Sequence, residues 1–210
     1  MSSATPDFQA FFGRPRDLDQ GLVSSGRETG WMNSVKFRHE ESHLVIADAL
    51  CIAGENLALT LDLAPGDYQL WVKGIDYGFE RRLSRMRCCS DADDLELGGK
   101  IGDVGTDSAM LGLCDLGSLL RSCGGDRAEI GRLVSERVFE VGWVGLVRLE
   151  NVSFPVFHAG FGDGVFPVYE LLSKGRRAGT EIEFISAAAE YPKTLYWAAM
   201  QERIYRSKRT

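Results

Sequence analysis

The chain has 210 residues, a mass of 23.2 kDa and a formal charge of −6, with a sequence pI of about 5.2. That length is enough for one domain or two small ones, and one is expected. The acidic balance lacks the electrostatic footprint of a nucleic-acid binder, and no apolar run approaches the roughly 20 residues of a membrane helix.

Residues 1–6 read as disordered, and Phe8, Phe11 and Phe12 are the first side chains with enough apolar surface to dock. The opening MSSATPDFQAFFGRPRD has no basic leader followed by an apolar core, so the chain is expected in the cytoplasm. Gly21 to Gly30 reads as loop, which sets residues 1–30 apart as an arm from a single β-rich domain over 31–210. Val35-Lys36-Phe37 and Leu44 to Ile46 give the first strand signals. Leu57, Leu59, Leu61 and Leu63 alternate with Asn56, Ala58, Thr60 and Asp62, the period of a half-buried strand. Pro65-Gly66 suits a type II turn, and Tyr68, Leu70 and Val72 continue on one face, predicting a hairpin over 57–75.

Arg81, Arg82, Arg85 and Arg87 form a strand-like run, with Asp91, Asp93, Asp94 and Glu96 behind it. Such charge predicts a solvated edge strand, or pairing across a turn. No aromatic residues interleave with the arginines as stacking on single-stranded nucleic acid requires. Residues 98–115, GGKIGDVGTDSAMLGLCD, match neither a phosphate loop nor a dinucleotide fingerprint, and the acidic run before them fails the calcium-loop spacing. Asp126 to Glu140 is the clearest helix, with Ile130, Leu133, Val134 and Val138 on one stripe and Asp126 with Glu129 as a capping box. Val144 to Leu149 returns to strand. Phe154 to Ile185 then carries two apolar runs meeting at Gly162-Asp163-Gly164, read as a hairpin tip, and a third after the loop 173–179. Pro167 pushes its strand toward a sheet edge. After Ala187 a helix is expected, with Pro192 near its first turn and Tyr196, Met200 and Ile204 on one face.

Thr106-Asp107-Ser108-Ala109-Met110 echoes Gly162-Asp163-Gly164-Val165-Phe166, as a duplicated strand-turn-strand unit would. The cysteines at 51, 88, 89, 114 and 123 lack zinc-ribbon spacing, and their odd count predicts reduced, mostly buried thiols.

Three constellations carry possible chemistry. His39-Glu40-Glu41-Ser42-His43 fits the H-E-x-x-H pattern, which needs both histidines on one helix face holding Zn²⁺ and the glutamate activating water. Its flanks, Val35 to Phe37 and Leu44 to Ile46, are strand-like, which predicts a charged hairpin loop instead. Asp103, Asp107, Asp115 and Asp163 all stand at loop-strand junctions. If the echoing turns lie side by side, Asp107 and Asp163 approach each other and can hold a divalent cation or share a proton, although turn aspartates more often cap backbone N–H groups. Ser108 has no base nearby in sequence. His158, in an apolar strand close to Gly162 and Gly164, is the one candidate to serve it or Cys114 in space.

Four pieces together resemble a family of uncharacterised bacterial proteins: Ser42-His43-Leu44-Val45-Ile46-Ala47-Asp48; Pro65-Gly66-Asp67-Tyr68-Gln69-Leu70; Thr106-Asp107-Ser108 with Asp115; and Gly162-Asp163-Gly164-Val165-Phe166-Pro167-Val168-Tyr169. The family tends to have glycine where His43 stands and proline where Ala49 stands. The resemblance implies a mostly β, cytoplasmic protein without established catalysis, sometimes met in prophage or toxin-immunity settings.

The expected fold is α+β and mainly antiparallel β, two packed or curved sheets with one central and one C-terminal helix. The leading functional expectation is a non-enzymatic binding protein, phage-associated or immunity-like, acting through an exposed sheet surface or the Gly162–Gly164 turn, with a protein partner and no cofactor. A metal-dependent hydrolase at the aspartates, or at His39, Glu40 and His43, is the competing one.

Overall fold

The computed structural model describes residues 11–12, 22–54, 58–90 and 94–207. Its strands are β1 (Leu22–Glu28), β2 (Met32–His39), β3 (His43–Asp48), β4 (Leu59–Asp62), β5 (Gly66–Gly78), β6 (Arg81–Cys89), β7 (Leu95–Thr106), β8 (Met110–Cys114), β9 (Val144–Leu149), β10 (Val152–His158), β11 (Gly164–Ser173) and β12 (Arg176–Glu183). Its helices are α1 (Leu116–Ser122), α2 (Arg127–Arg137) and α3 (Lys193–Ser207), with 3₁₀ turns at Ala49–Cys51 and Val138–Glu140. The strands form two antiparallel sheets. One is ordered β1-β5-β6-β12-β11-β7, with β2 also on β5, and the other β4-β3-β8-β10-β9.

The apolar patterning explains the layering. In β3, Leu44 and Ile46 pack toward the large sheet, while Val45 and Ala47 join Ile130, Val134 and Val138 of the helical layer. A strand buried on both faces reads as a continuous apolar run, and β3 and β8 are such strands. In β5 the alternation is one-sided. Tyr68, Leu70 and Val72 enter the core, while Trp71 and Lys73 face outward.

Two bent ribbons join the sheets. β2 pairs with β5 as far as His39 opposite Gly66, and the chains then turn together into β3 and β4, where His43 faces Asp62. At that corner the Leu63 amide donates to the Ser42 carbonyl at 3.2 Å. Likewise β7 pairs with β11 as far as Thr106 opposite Gly164, and both continue into β8 and β10, where Met110 faces His158. Here the Ala159 amide donates to the Ala109 carbonyl at 2.9 Å.

The ribbons repeat one pattern about a pseudo-two-fold axis. Strands β2 to β6 correspond to β7, β8, β10, β11 and β12. The axis passes between Ile46 and Leu113 in the small sheet and between Arg87 and Glu181 in the large one, each pair being directly opposite. β1, β9, α1 and α2 lie outside the repeat. The repeat of strand pairing does not follow the expected echo. The segment 106–110 corresponds to 39–43, and Gly164 to Phe166 corresponds to Gly66 to Tyr68.

Several expectations are corrected. The turns at 63–65 and 159–163 are inter-sheet corners and not hairpin tips, because β4 and β10 pair in one sheet while β5 and β11 pair in the other. Gly66 keeps a negative φ, so no type II turn forms there, while Gly160 and Gly162 take φ of 48° and 129° to make the second corner. Residues 22–28 are a strand on β5 and belong to the sheet rather than to an N-terminal arm. β6 is interior. Its arginines are neutralised by Asp76, Glu80, Glu28, Glu181 and Glu183 instead of by the acidic run that follows, of which Asp91 and Asp93 lie outside the described residues. β11 is interior too. Pro167 is accommodated because pairing with β12 begins only at Val168.

The two expected helices are present. Asp126 caps α2 by accepting from the Ala128 and Glu129 amides, though Glu129 turns to Arg132 in place of closing a capping box. Pro192 opens α3, its carbonyl accepting from Leu195 and Tyr196. α1 had no advance signal. Phe12 is buried and Phe11 packs against the same core, whereas residues 1–6 and Phe8 lie outside the described residues.

Candidate functional site

The two halves place equivalent carboxylates at equivalent corners. Asp48 ends β3 and reaches the corner between β7 and β8, and Asp115 follows β8 and reaches the corner between β2 and β3. Asp48 accepts from the Thr106 hydroxyl at 2.7 Å, the Asp107 amide at 2.8 Å and the Ser108 amide at 2.9 Å. Its other oxygen accepts from the Ser108 hydroxyl at 2.8 Å and the Leu50 amide at 2.9 Å. Burial would raise the Asp48 pKa, but the bonds from Thr106, Ser108 and Asp107 outweigh it and hold the carboxyl below its ordinary value. The Thr106-Asp107-Ser108 motif is thus a carboxylate-bound turn that locks one sheet to the other.

Asp115 makes the matching contacts with fewer donors. It accepts from the Glu40 amide at 2.6 Å, as Asp48 does from Asp107, and it bonds the His39 ring, as Asp48 bonds Thr106. His39 is 1% exposed, and its second nitrogen lies 3.3 Å from the Leu63 carbonyl. With both ring nitrogens engaged, His39 has none left to bind a metal or a substrate proton. Asp115 caps α1 by position but makes no side-chain cap bond, because its oxygens are turned toward the corner.

Above Asp115 lies a cleft of about 160 Å³, lined by Phe37, Arg38 and Glu40 of the first corner, Leu113 to Asp115 and Ser118, and Asn151 to Phe154 of the β9-β10 turn. The cleft gathers Glu40 and Asp115 from separate sequence constellations, with His39 beneath them.

The other candidates fall elsewhere. His43 opens β3, is exposed, and bonds Asp62 at 2.8 Å, so His39, Glu40 and His43 lie on strands and a connecting turn instead of on one helix face. Asp107 and Asp163 stand on turns joined by the Ala159–Ala109 backbone bond, with both residues exposed. Asp103 pairs with Lys100 at 2.7 Å. Among the described residues no group of three or more His, Cys, Asp or Glu side chains is arranged to hold a metal ion. Gly162 and Gly164 shape the second corner and the start of β11.

The Ser108 hydroxyl is held between Asp48 and the Met110 carbonyl. His158 packs against Trp143 in a tilted ring contact, with ring centres 5.0 Å apart, and burial together with the Arg82 guanidinium lowers its pKa. His158 faces Met110, four residues along β8 from Cys114, about 13 Å at the rise of a strand. Burial also pushes the Cys114 thiol well up, with Asp115 and Glu41 adding to it, so neither pairing forms a nucleophile.

Sequence reasoning quoted Asp48 only within a resembling motif and gave it no role, although it ends an apolar run LVIAD that parallels LGLCD before Asp115. That parallel was the available signal. No helix among the described residues is long and apolar enough to cross a membrane. The chain matches no protein family, no curated protein and no solved structure.

Proposed function

We propose that the chain is a non-enzymatic binding protein that engages a protein partner through the cleft beside Glu40 and Asp115. The observation that carries this reading is the divergence of the two equivalent carboxylates. Asp48 is saturated by five donors and serves only to hold its turn. Asp115 has two partners and lines a concave surface of mixed apolar and polar character, the usual form of a recognition site. The repeated pairing supplies an internal comparison, since the Asp48 corner is held by a fuller set of donors than the Asp115 corner. The resemblance to proteins of prophage and toxin-immunity settings supports the same class, and a cytoplasmic location goes with it.

A fragment screen read by amide chemical shifts on the full chain tests this. Shifts confined to residues 37–40, 113–118 and 151–154 support the proposal, and Ser153→Trp, which fills the cleft from an exposed position, should abolish them. No shift there from any fragment would overturn it. A stoichiometric divalent ion that stabilises the protein and is lost in Asp163→Ala would instead favour the hydrolase reading.

A further inference from the structure

We infer that the cleft receives an arginine side chain presented by a protein partner, an assignment that rests on the binding role proposed above. The first ground is size. At about 160 Å³ the cleft is smaller than the roughly 300–1,000 Å³ that drug-sized ligands occupy, and it suits one long side chain. The second is the lining, where Phe37 and the half-buried Val152 stand beside the deeply buried Leu113 and Phe154 and give an aliphatic stem an apolar wall to lie against.

Charge decides the head group. Among the described residues the two guanidinium groups near the rim already have carboxylate partners: Arg38, which lines the cleft, meets Asp67 at 3.2 Å, and Arg121 meets Glu41 at 2.6 Å. Among the described residues no cation pairs with the Glu40 carboxylate, and Asp115 uses two of about four acceptor positions. An anionic side chain would meet both carboxylates, whereas a cation would offset Glu40. Asn151 and Ser153, on the other wall, add acceptors at a different angle. A planar, weakly hydrated guanidinium with five donors can reach acceptors on two walls while its stem lies against the apolar lining. A compact ammonium, more tightly hydrated, does this less well.

The test uses the ¹⁵N-labelled full chain titrated with acetyl-Gly-Arg-Gly-amide and with the isosteric, uncharged citrulline peptide. The arginine peptide should shift the amides of residues 38–40, 113–118 and 151–154, and the citrulline peptide should bind about tenfold more weakly or less. Glu40→Gln should weaken the arginine peptide by about fivefold. Because Glu40 is exposed, the same variant should melt with the wild type. Equal binding of the two peptides, indifference to Glu40→Gln, or shifts centred elsewhere would overturn the inference. Free guanidinium binding as tightly as the peptide would overturn the partner-borne part. Neutral fragments that fill the cleft without any preference for arginine would overturn this inference alone, leaving the binding role in place. A cleft that takes no probe at all would remove both.

Discussion

Replacing Asp48 with alanine should cost about 3–5 kcal/mol, and the figure follows from its donors. Five groups bond this carboxylate: the amides of Leu50, Asp107 and Ser108 and the hydroxyls of Thr106 and Ser108. Both hydroxyls also lie within reach of the Met110 carbonyl, at 3.0 and 3.2 Å, so they keep a partner when the carboxylate goes. Asp107 is exposed and its amide can rehydrate. The loss therefore comes from about two charge-assisted amide bonds and a vacated, largely buried site, at about 1.5–3 kcal/mol each. Urea unfolding with an m-value near 2 kcal/mol/M would place the midpoint about 1.5–2.5 M lower with m unchanged. Asp48→Asn keeps the shape and one acceptor oxygen and should lose about half as much. The pH dependence has a definite sign. The folded carboxyl titrates below its ordinary value of 3.8, so the charge contributes fully above that value and its contribution fades as the pH falls below it. The difference between wild type and Asp48→Asn should thus be constant from pH 5 to 8 and shrink below about pH 4. A midpoint shift under about 0.5 M for Asp48→Ala would refute the carboxylate's role in locking the sheets.

Glu181 is 1% exposed and faces Arg87 at 2.6 Å and Arg85 at 3.0 Å, so Glu181→Gln leaves two guanidinium groups short of an acceptor charge and should cost about 2–4 kcal/mol by urea unfolding. The β11-β12 turn puts Lys174 at φ 50° before Gly175 at φ 74°, a conformation asparagine accepts more readily than lysine. Lys174→Asn should raise stability by about 0.5–1 kcal/mol, measured in the same assay. Thiol alkylation at pH 8 followed by peptide mass mapping should modify exposed Cys51 long before buried Cys114. Equal rates at the two would contradict the burial of β8.

Much of the fold was legible because local pattern and environment agree there. The stripe Ile130, Val134 and Val138 faces a core, and the capping aspartate stands where its side chain can bond the first amides. Tyr68, Leu70 and Val72 alternate because they face the apolar core, while the other face of β5 carries buried Gln69 and half-buried Trp71 and Lys73. What misled was connectivity. A corner between sheets and a hairpin tip use the same small, turn-forming residues, so Pro65-Gly66 and Gly162-Asp163-Gly164 could not reveal which strands would pair. Arg85 and Arg87 of β6 read as an edge because their neutralising partners, Glu28, Glu181 and Glu183, are remote in sequence. For the same reason Glu40 and Asp115 could not be joined in advance. The H-E-x-x-H match was legible as a pattern, and its β-branched flanks told against a helix.

The bent ribbons also decide how this chain can come apart. Each sheet borrows strands that continue into the other, so neither can melt while its neighbour stays folded. The ladders that close them join distant segments, with Arg87 meeting Glu181 and Thr106 meeting Gly164. Loop closure over such separations must precede most of the stabilising contact, which places refolding among the slow, non-local topologies of milliseconds to seconds. Native-state hydrogen exchange should accordingly find the two sheets opening together, as one cooperative unit.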